Sequence, residues 1–301
     1  MTGQPSPKSV RLRRSVLCLP ASNERAIAKL DTLEMDSVIL DLEDAVAEEA
    51  KDQARANIRS YFAKPRPAGR ETIVRVNGRD TAHYEEDLRL VLDCAPDAVL
   101  VPKVETHEDI LELSLFLNEN DAPAELRIWA MMETPLAILN AGPIAKIGGT
   151  PGGRLDCLVV GLNDLRKDTG VKPDPARTYL VPWLMQVVLA ARAFGLTAID
   201  SVSNDFRDLG PFEAECAQGR AMGFDGKMLI HPAQIEPANR HFQPSEEEVA
   251  EARRIVAAFE SPEGQGANAL AVDGRMVERL HYHQALALIA AHDKINGKKT
   301  P

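Results

Sequence analysis

Eight short apolar runs, separated by amphipathic stretches, leave few folds open to this chain. The runs lie at 15–19, 37–41, 72–76, 98–101, 127–132, 157–160, 197–199 and 227–230. Between and after them, helical periodicity fills 23–32, 48–62, 82–93, 107–118, 135–147, 179–194, 206–222 and 245–259. Ser245-Glu-Glu-Glu248 reads as a capping box, and Gly195 and Gly223 follow helix ends. Strands apolar on both faces belong in a parallel sheet covered by helices. Eight β/α units in a row predict an α/β fold, a TIM (β/α)8 barrel. A doubly wound open sheet is the structural alternative. No Gly-x-Gly-x-x-Gly follows the first run, which weakens a dinucleotide-binding version of it.

The expected layout is a loose N-terminal arm over 1–10, a catalytic barrel over 11–260, and a linker with a C-terminal lid or arm over 261–301. Within that last part, 271–277 reads as extended, about 280–293 as a helix and 298–301 as a frayed tail. The segment could serve as a lid, an arm onto a neighbouring subunit, or a barrel plug. A net charge of -10 makes a poor general binder of nucleic acid or anionic membrane. No apolar core of a signal peptide opens the chain, and no apolar run nears the ~18 residues of a membrane span. The expected location is cytoplasmic. Cys18, Cys94, Cys157 and Cys216 include no Cys-x-x-Cys pair and read as buried free thiols.

A TIM barrel places its active site at the C-terminal ends of its strands, and polar residues gather there. Run two ends Asp41-Leu-Glu43-Asp44, run three Arg75-Val-Asn77, run four Pro102-Lys103-Val-Glu105 and run five Glu133. Run six leads to Asp164, run seven ends at Asp200, and run eight continues into His231. An acid closing a buried strand is costly unless paired. Glu133 and Asp164, on successive strands, therefore suggest a shared hard cation such as Mg²⁺, which favours one or two carboxylates plus water and substrate oxygens. The alternative is that both acids pair with neighbouring Lys or Arg. Arg75 suits capture of a substrate carboxylate or carbonyl oxygen, or an ion pair to a barrel acid such as Glu43. Glu43 and Asp44 offer one acid to the site and one to a helix cap. Lys103 reads as an ammonium neutralising an acid-rich mouth, with a Schiff-base role as the alternative. His231 reads as a cap-region residue or a general base. His281 and His283 point apart on a helix. Arg11, Arg13 and Arg14 form a basic run, either a solvated face or a phosphate contact.

Several motifs occur together in order. They are Arg14-Ser-Val-Leu-Cys-Leu-Pro20, Val38-Ile-Leu-Asp-Leu-Glu-Asp-Ala-Val46, Val74-Arg-Val-Asn77, Pro102-Lys-Val-Glu105, Glu133-Thr-Pro135, Gly161-Leu-Asn-Asp-Leu165, Ala198-Ile-Asp200 and Lys227-Met-Leu-Ile-His-Pro232. On these the chain resembles the citrate lyase beta-subunit-like (CitE-like) group of the HpcH/HpaI aldolase superfamily. The resemblance implies a TIM barrel that binds Mg²⁺ and a coenzyme A thioester. It assigns the metal to Glu133 and Asp164, the substrate-binding arginine to Arg75, and metal waters to Glu43 and Asp44. It links the Arg14–Pro20 motif, at Arg14 and Pro20, to the CoA moiety. In related lyases a Gly-x-Met-Ile-Asp motif supplies an acid from a neighbouring subunit. Here the match is Gly274-Arg-Met-Val-Glu278, with Glu in place of Asp.

The implied reaction is Mg²⁺-dependent cleavage or formation of a malyl-, citramalyl- or citryl-CoA, giving acetyl-CoA and a 2-oxo acid. Arg75 would steady the thioester enolate and Glu278 would move its proton. The rival readings are a malyl-CoA-type thioesterase, a CoA-adduct-binding subunit of a larger lyase complex, and an aldolase without CoA. The expected partners are the thioester, the 2-oxo acid and further copies of the chain in a homo-oligomer, a trimer or hexamer.

Overall fold

The structure, a computed structural model, describes residues 11–297. The expected arm over 1–10 and tail over 298–301 lie outside the described residues. Eight strands pair in chain order, all parallel: β1 (Ser15–Pro20), β2 (Ser37–Asp41), β3 (Glu71–Arg75), β4 (Ala98–Val101), β5 (Arg127–Met132), β6 (Leu155–Val160), β7 (Thr197–Asp200) and β8 (Gly226–Leu229). β1 also pairs with β8, so the sheet closes into the expected barrel. Helices such as Lys51–Phe62, His107–Glu119 and Val181–Ala193 follow β2, β4 and β6 and bury apolar faces.

The two-residue strand period sorts side chains between two apolar layers. Val16, Ile39, Ile73, Leu100, Trp129, Met131, Val159, Ile199 and Met228 form an inner cluster. A larger cluster, including Val38, Leu40, Val74, Ile128 and Leu158, lies between sheet and helices. The inward period then carries Ile39 to Asp41, Ile73 to Arg75, Met131 to Glu133 and Val159 to Gly161. Hydrophobic packing inside the barrel thus hands over to charged residues at its C-terminal rim.

The opposite end is closed by Arg13. Its guanidinium donates to Glu71 at 2.6 and 2.8 Å, to Asp156 at 2.5 Å and to Thr197 at 2.8 Å. It also lies 4.8 Å from the Trp129 ring centroid. Arg13 is a buried plug, neither a solvated face nor a phosphate contact.

Three expectations about element boundaries change. The compact barrel unit is Arg13–Phe242; Gln243 onward forms a second unit with Arg11 and Leu12. The helix after β8 is Ile235–Phe242, which buries Ile235, Pro237, Ala238 and Phe242. Pro237 lies in the first turn, where a missing N–H costs nothing. The Ser245-capped helix, Glu246–Glu260, packs against Arg279–Ile295 in the second unit. Next, Asp164 does not close a strand: β6 stops at Val160, Gly161 caps, and Asp164 falls in the first turn of the helix Leu162–Thr169. Buried Leu162 and Leu165 have helical spacing, which the continuous apolar run from β6 had masked. Finally, the extended piece at 271–277 is a hairpin of β9 (Ala269–Val272) and β10 (Arg275–Glu278). Asp273 and Gly274 turn it with φ of 51° and 75°. Among the described residues, no helix is long and apolar enough to cross a membrane.

Candidate active site

β2 and β3 pair with Asp41 opposite Arg75. The register makes a bidentate ion pair: Arg75 Nε and Nη2 each donate to Asp41 at 2.6 Å. Asp41 also accepts the Glu43 N–H at 2.9 Å and the Ala45 N–H at 3.3 Å, so one buried carboxylate holds both the arginine and the following loop. Arg75 Nη1 lies 2.9 Å from Glu43, and Lys103 Nζ lies 3.4 Å from the same carboxylate. Neither Glu43 oxygen has a properly aligned hydrogen-bond donor. Burial raises the Glu43 carboxyl above its ordinary range against the pull of Arg75. Lys103 thus occupies the expected neutralising position, and Arg75 pairs with Asp41 as well as with Glu43.

Glu133 is 1% exposed. Its Oε1 accepts the Lys103 N–H at 2.8 Å. Lys103 reaches that position with a left-handed φ of 51°, a conformation a non-glycine residue keeps only when its surroundings hold it there. The other face of Glu133 meets Gly161. A Cβ on Gly161 would sit 2.6 Å from Glu133 Cβ and 2.7 Å from Oε2, so a side chain at 161 and the present Glu133 exclude each other. Burial pushes the Glu133 carboxyl up to about 8, and Glu43 and Asp164 add to the rise.

A cavity of about 450 Å³ joins these groups; Pro20, Asp41, Asp44, Arg75, Glu133, Asp164 and Ser201 are among its walls. Met131, Leu162, Val202 and Met228 give it apolar surface. A neighbouring chamber of about 590 Å³ shares Cys18, Leu19, Pro20 and Ile230 with it and is edged by Arg25 and Lys29. Burial pushes the Cys18 thiol up to about 12, with Asp41 adding to the rise.

The structure therefore brings Arg75, Glu43, Asp44, Glu133 and Asp164 to one mouth, with Pro20 in its wall. Arg14 is at the other end of β1, where Asp36 accepts from its Nε and Nη2 at 2.8 Å each. Strand geometry thus sends Arg14 and Pro20, the two residues expected to meet CoA, to opposite ends of β1, and only Pro20 lines the mouth. Glu278 belongs to the second unit, where it is exposed and its N–H donates to His281 at 2.9 Å. His231 accepts the Ala233 N–H at 3.1 Å and stacks on Phe206, which fits the cap reading. The structural roles of Asp41 and Gly161 were missed. Two-residue spacing between Asp41 and Glu43 was the available signal for the first; the close approach of Gly161 leaves none in sequence.

The donor set fits a hard divalent cation. Acids outnumber Arg75 and Lys103, and the Glu133 carboxyl is raised to about 8 by burial first and by the neighbouring Glu43 and Asp164 second. Among the described residues no group of three or more His, Cys, Asp and Glu is arranged around one point. A two-carboxylate set completed by water and substrate oxygens suits Mg²⁺ and not structural zinc.

The barrel carries an acid-rich mouth at the C-terminal ends of its strands, and the chain belongs to the HpcH/HpaI aldolase/citrate lyase family, whose model matches residues 14–232. It is 44% identical over 282 residues to a (3S)-malyl-CoA thioesterase of Cereibacter sphaeroides, covering 94% of this chain and 95% of that one. It is 32% identical over 296 residues to the mitochondrial citramalyl-CoA lyase of Homo sapiens, covering 95% and 87%. The fold matches the crystal structure of CitE from Mycobacterium tuberculosis in complex with magnesium, acetoacetate and coenzyme A. That match has a TM-score of 0.70 at 30% identity and covers 92% of this chain and 97% of that one.

Proposed function

We propose that this chain is a Mg²⁺-dependent enzyme acting on a malyl-type acyl-CoA, and that it hydrolyses the thioester to CoA and the free hydroxy acid. The observation that carries the substrate class is one cavity walled by Glu133, Asp164 and Arg75, which shares Cys18, Leu19, Pro20 and Ile230 with a neighbouring, mostly apolar chamber edged by Arg25 and Lys29. Held by Glu133 and Asp164, Mg²⁺ would supply Lewis-acid neutralisation of the substrate's carboxylate and hydroxyl oxygens. Arg75, fixed by Asp41, presents a guanidinium to the thioester carbonyl and stabilises the charge that develops there. Glu43, raised by burial, takes a proton from the attacking water. Cys18 stays protonated near neutral pH, so an acyl-cysteine route lacks its nucleophile. The second chamber accommodates the pantetheine arm past Pro20, with Arg25 and Lys29 toward the phosphates. The higher identity to the thioesterase than to the lyase supports hydrolysis.

The second reading is C–C cleavage to acetyl-CoA and a 2-oxo acid, favoured by the citramalyl-CoA lyase relative and the Gly274–Glu278 motif. Arg75 would then hold the enolate and Glu278 of a neighbouring copy in a homo-oligomer would protonate it. Incubation with (3S)-malyl-CoA and citramalyl-CoA, with and without Mg²⁺, separates the two. Hydrolysis gives free CoA and intact hydroxy acid; cleavage gives acetyl-CoA and glyoxylate or pyruvate, and is lost in Glu278→Gln. No Mg²⁺-dependent product from either thioester would sink both readings.

A further inference from the structure

Asp164 is carried by a helix of only two turns, Leu162–Thr169, and a loop returns from it to the helix Val181–Ala193. Both ends of this segment are gripped by two consecutive residues at the end of β7. At the near end, the buried Ser201 Oγ accepts the Leu162 N–H at 3.0 Å. That N–H belongs to the first helical residue and has no partner within its own helix. At the far end, Arg177 Nη1 donates to both Asp200 oxygens at 2.8 Å. Arg177 is 1% exposed and is held in a left-handed turn with φ of 54°. The two grips are joined, because the Ser201 N–H donates to Asp200 Oδ1 at 2.8 Å. Lys227, directly opposite Asp200 in the sheet, fixes the other oxygen at 3.1 Å. A third tie is the reciprocal amide pair of Asn163 and Asn204, with bonds of 2.9 and 3.3 Å.

Strand parity separates the two residues. Asp200 points outward, among Arg177, Lys227 and the helix Leu209–Met222; Ser201 continues the inward face of Ile199 and lines the cavity. We propose that Ser201, anchored by Asp200 and Arg177, is a positioning residue that sets the first turn of the Asp164 helix and so places that carboxylate beside Glu133. The inference rests on the metal reading of Glu133 and Asp164. A carboxylate on the third residue of a two-turn helix moves with its helix start, so a lost tie at Leu162 becomes an error in ligand position.

Direct Mn²⁺ binding, followed by the electron paramagnetic resonance of the free ion, tests this without reference to turnover. Ser201→Ala should weaken Mn²⁺ binding roughly tenfold, and Arg177→Lys should weaken it in the same direction. In an Asp164→Asn background, Ser201→Ala should add no further loss, since the group it positions is gone. An equal loss in both backgrounds would make Ser201 a general stability residue and overturn the proposal. So would wild-type Mn²⁺ binding in Ser201→Ala alongside weakened binding in Asp164→Asn, an outcome that leaves the metal reading standing. Wild-type binding in both Asp164→Asn and Glu133→Gln would remove the metal reading and the proposal together.

Discussion

Glu133 holds a proton in the metal-free folded protein that the unfolded chain would release. Its folded value of about 8 lies above the ordinary 4.5, so unfolding sheds a proton in that window and stability falls as pH rises through it. Denaturant midpoints of chelator-treated protein should therefore decline from about pH 5 to about pH 8, and Glu133→Gln should flatten the decline. A decline unchanged in the variant would assign it to other groups. On the proposed metal reading Mg²⁺ would compete with the same proton, so apparent metal affinity should increase over the same interval. Removing Arg75 as Arg75→Met, which leaves Asp41 and Glu43 without their main partner, should lower kcat by roughly 10²–10³ in a thioester assay. Gly161→Ala should abolish metal binding by displacing Glu133, whose Cβ lies 2.6 Å from where the new methyl would stand. An intact Mn²⁺ affinity in that variant would contradict the close approach. At this scale the sequence revealed chemistry better than geometry. Glu133, Arg75 and Lys103 announced themselves as charges beside apolar runs. Gly161 carries no such mark, because its role is the absence of atoms next to a residue far away in sequence.

Strands were legible because a buried strand writes its own composition, and β2, β4 and β5 have the expected bounds. Short helices that begin inside an apolar run were not. Val160-Gly-Leu162 reads as one continuous segment, yet the backbone bends at Gly161 and starts the helix bearing Asp164. The Asp273-Gly274 turn was a missed signal of the opposite kind, since Asp-Gly between short extended runs is a favoured two-residue hairpin turn. Its glycine also separates two reasons for lacking a side chain. A Cβ at Gly274 would meet nothing within 4 Å, but φ is 75°. Gly274→Ala should therefore cost only about 1 kcal/mol, the backbone penalty, in the stability of the hairpin unit. Hydrogen exchange across β9 and β10 would report the loss, and an unchanged protection pattern would show that the turn tolerates alanine.

Across the whole barrel, stability and chemistry occupy opposite ends. The mouth gathers acids that repel one another, whereas the Arg13 plug joins four neighbours in buried ion pairs, a hydrogen bond and an aromatic contact. Arg13→Met should destabilise the fold by about 3–5 kcal/mol by removing the buried cation that pairs with Glu71 and Asp156, while turnover per folded molecule stays near wild type. Urea titration and a thioester assay on the same sample would check both halves. A loss of turnover without a loss of stability would mean that the ends communicate. The plug also imposes an order in time. Arg13 precedes its ion-pair and hydrogen-bond partners in the chain, which follow 58, 143 and 184 positions later. During synthesis its charge must wait for β7 to emerge before the ring around it is complete. Until β8 pairs with β1 the growing sheet keeps two unpaired edges, and closure of the barrel removes both at once.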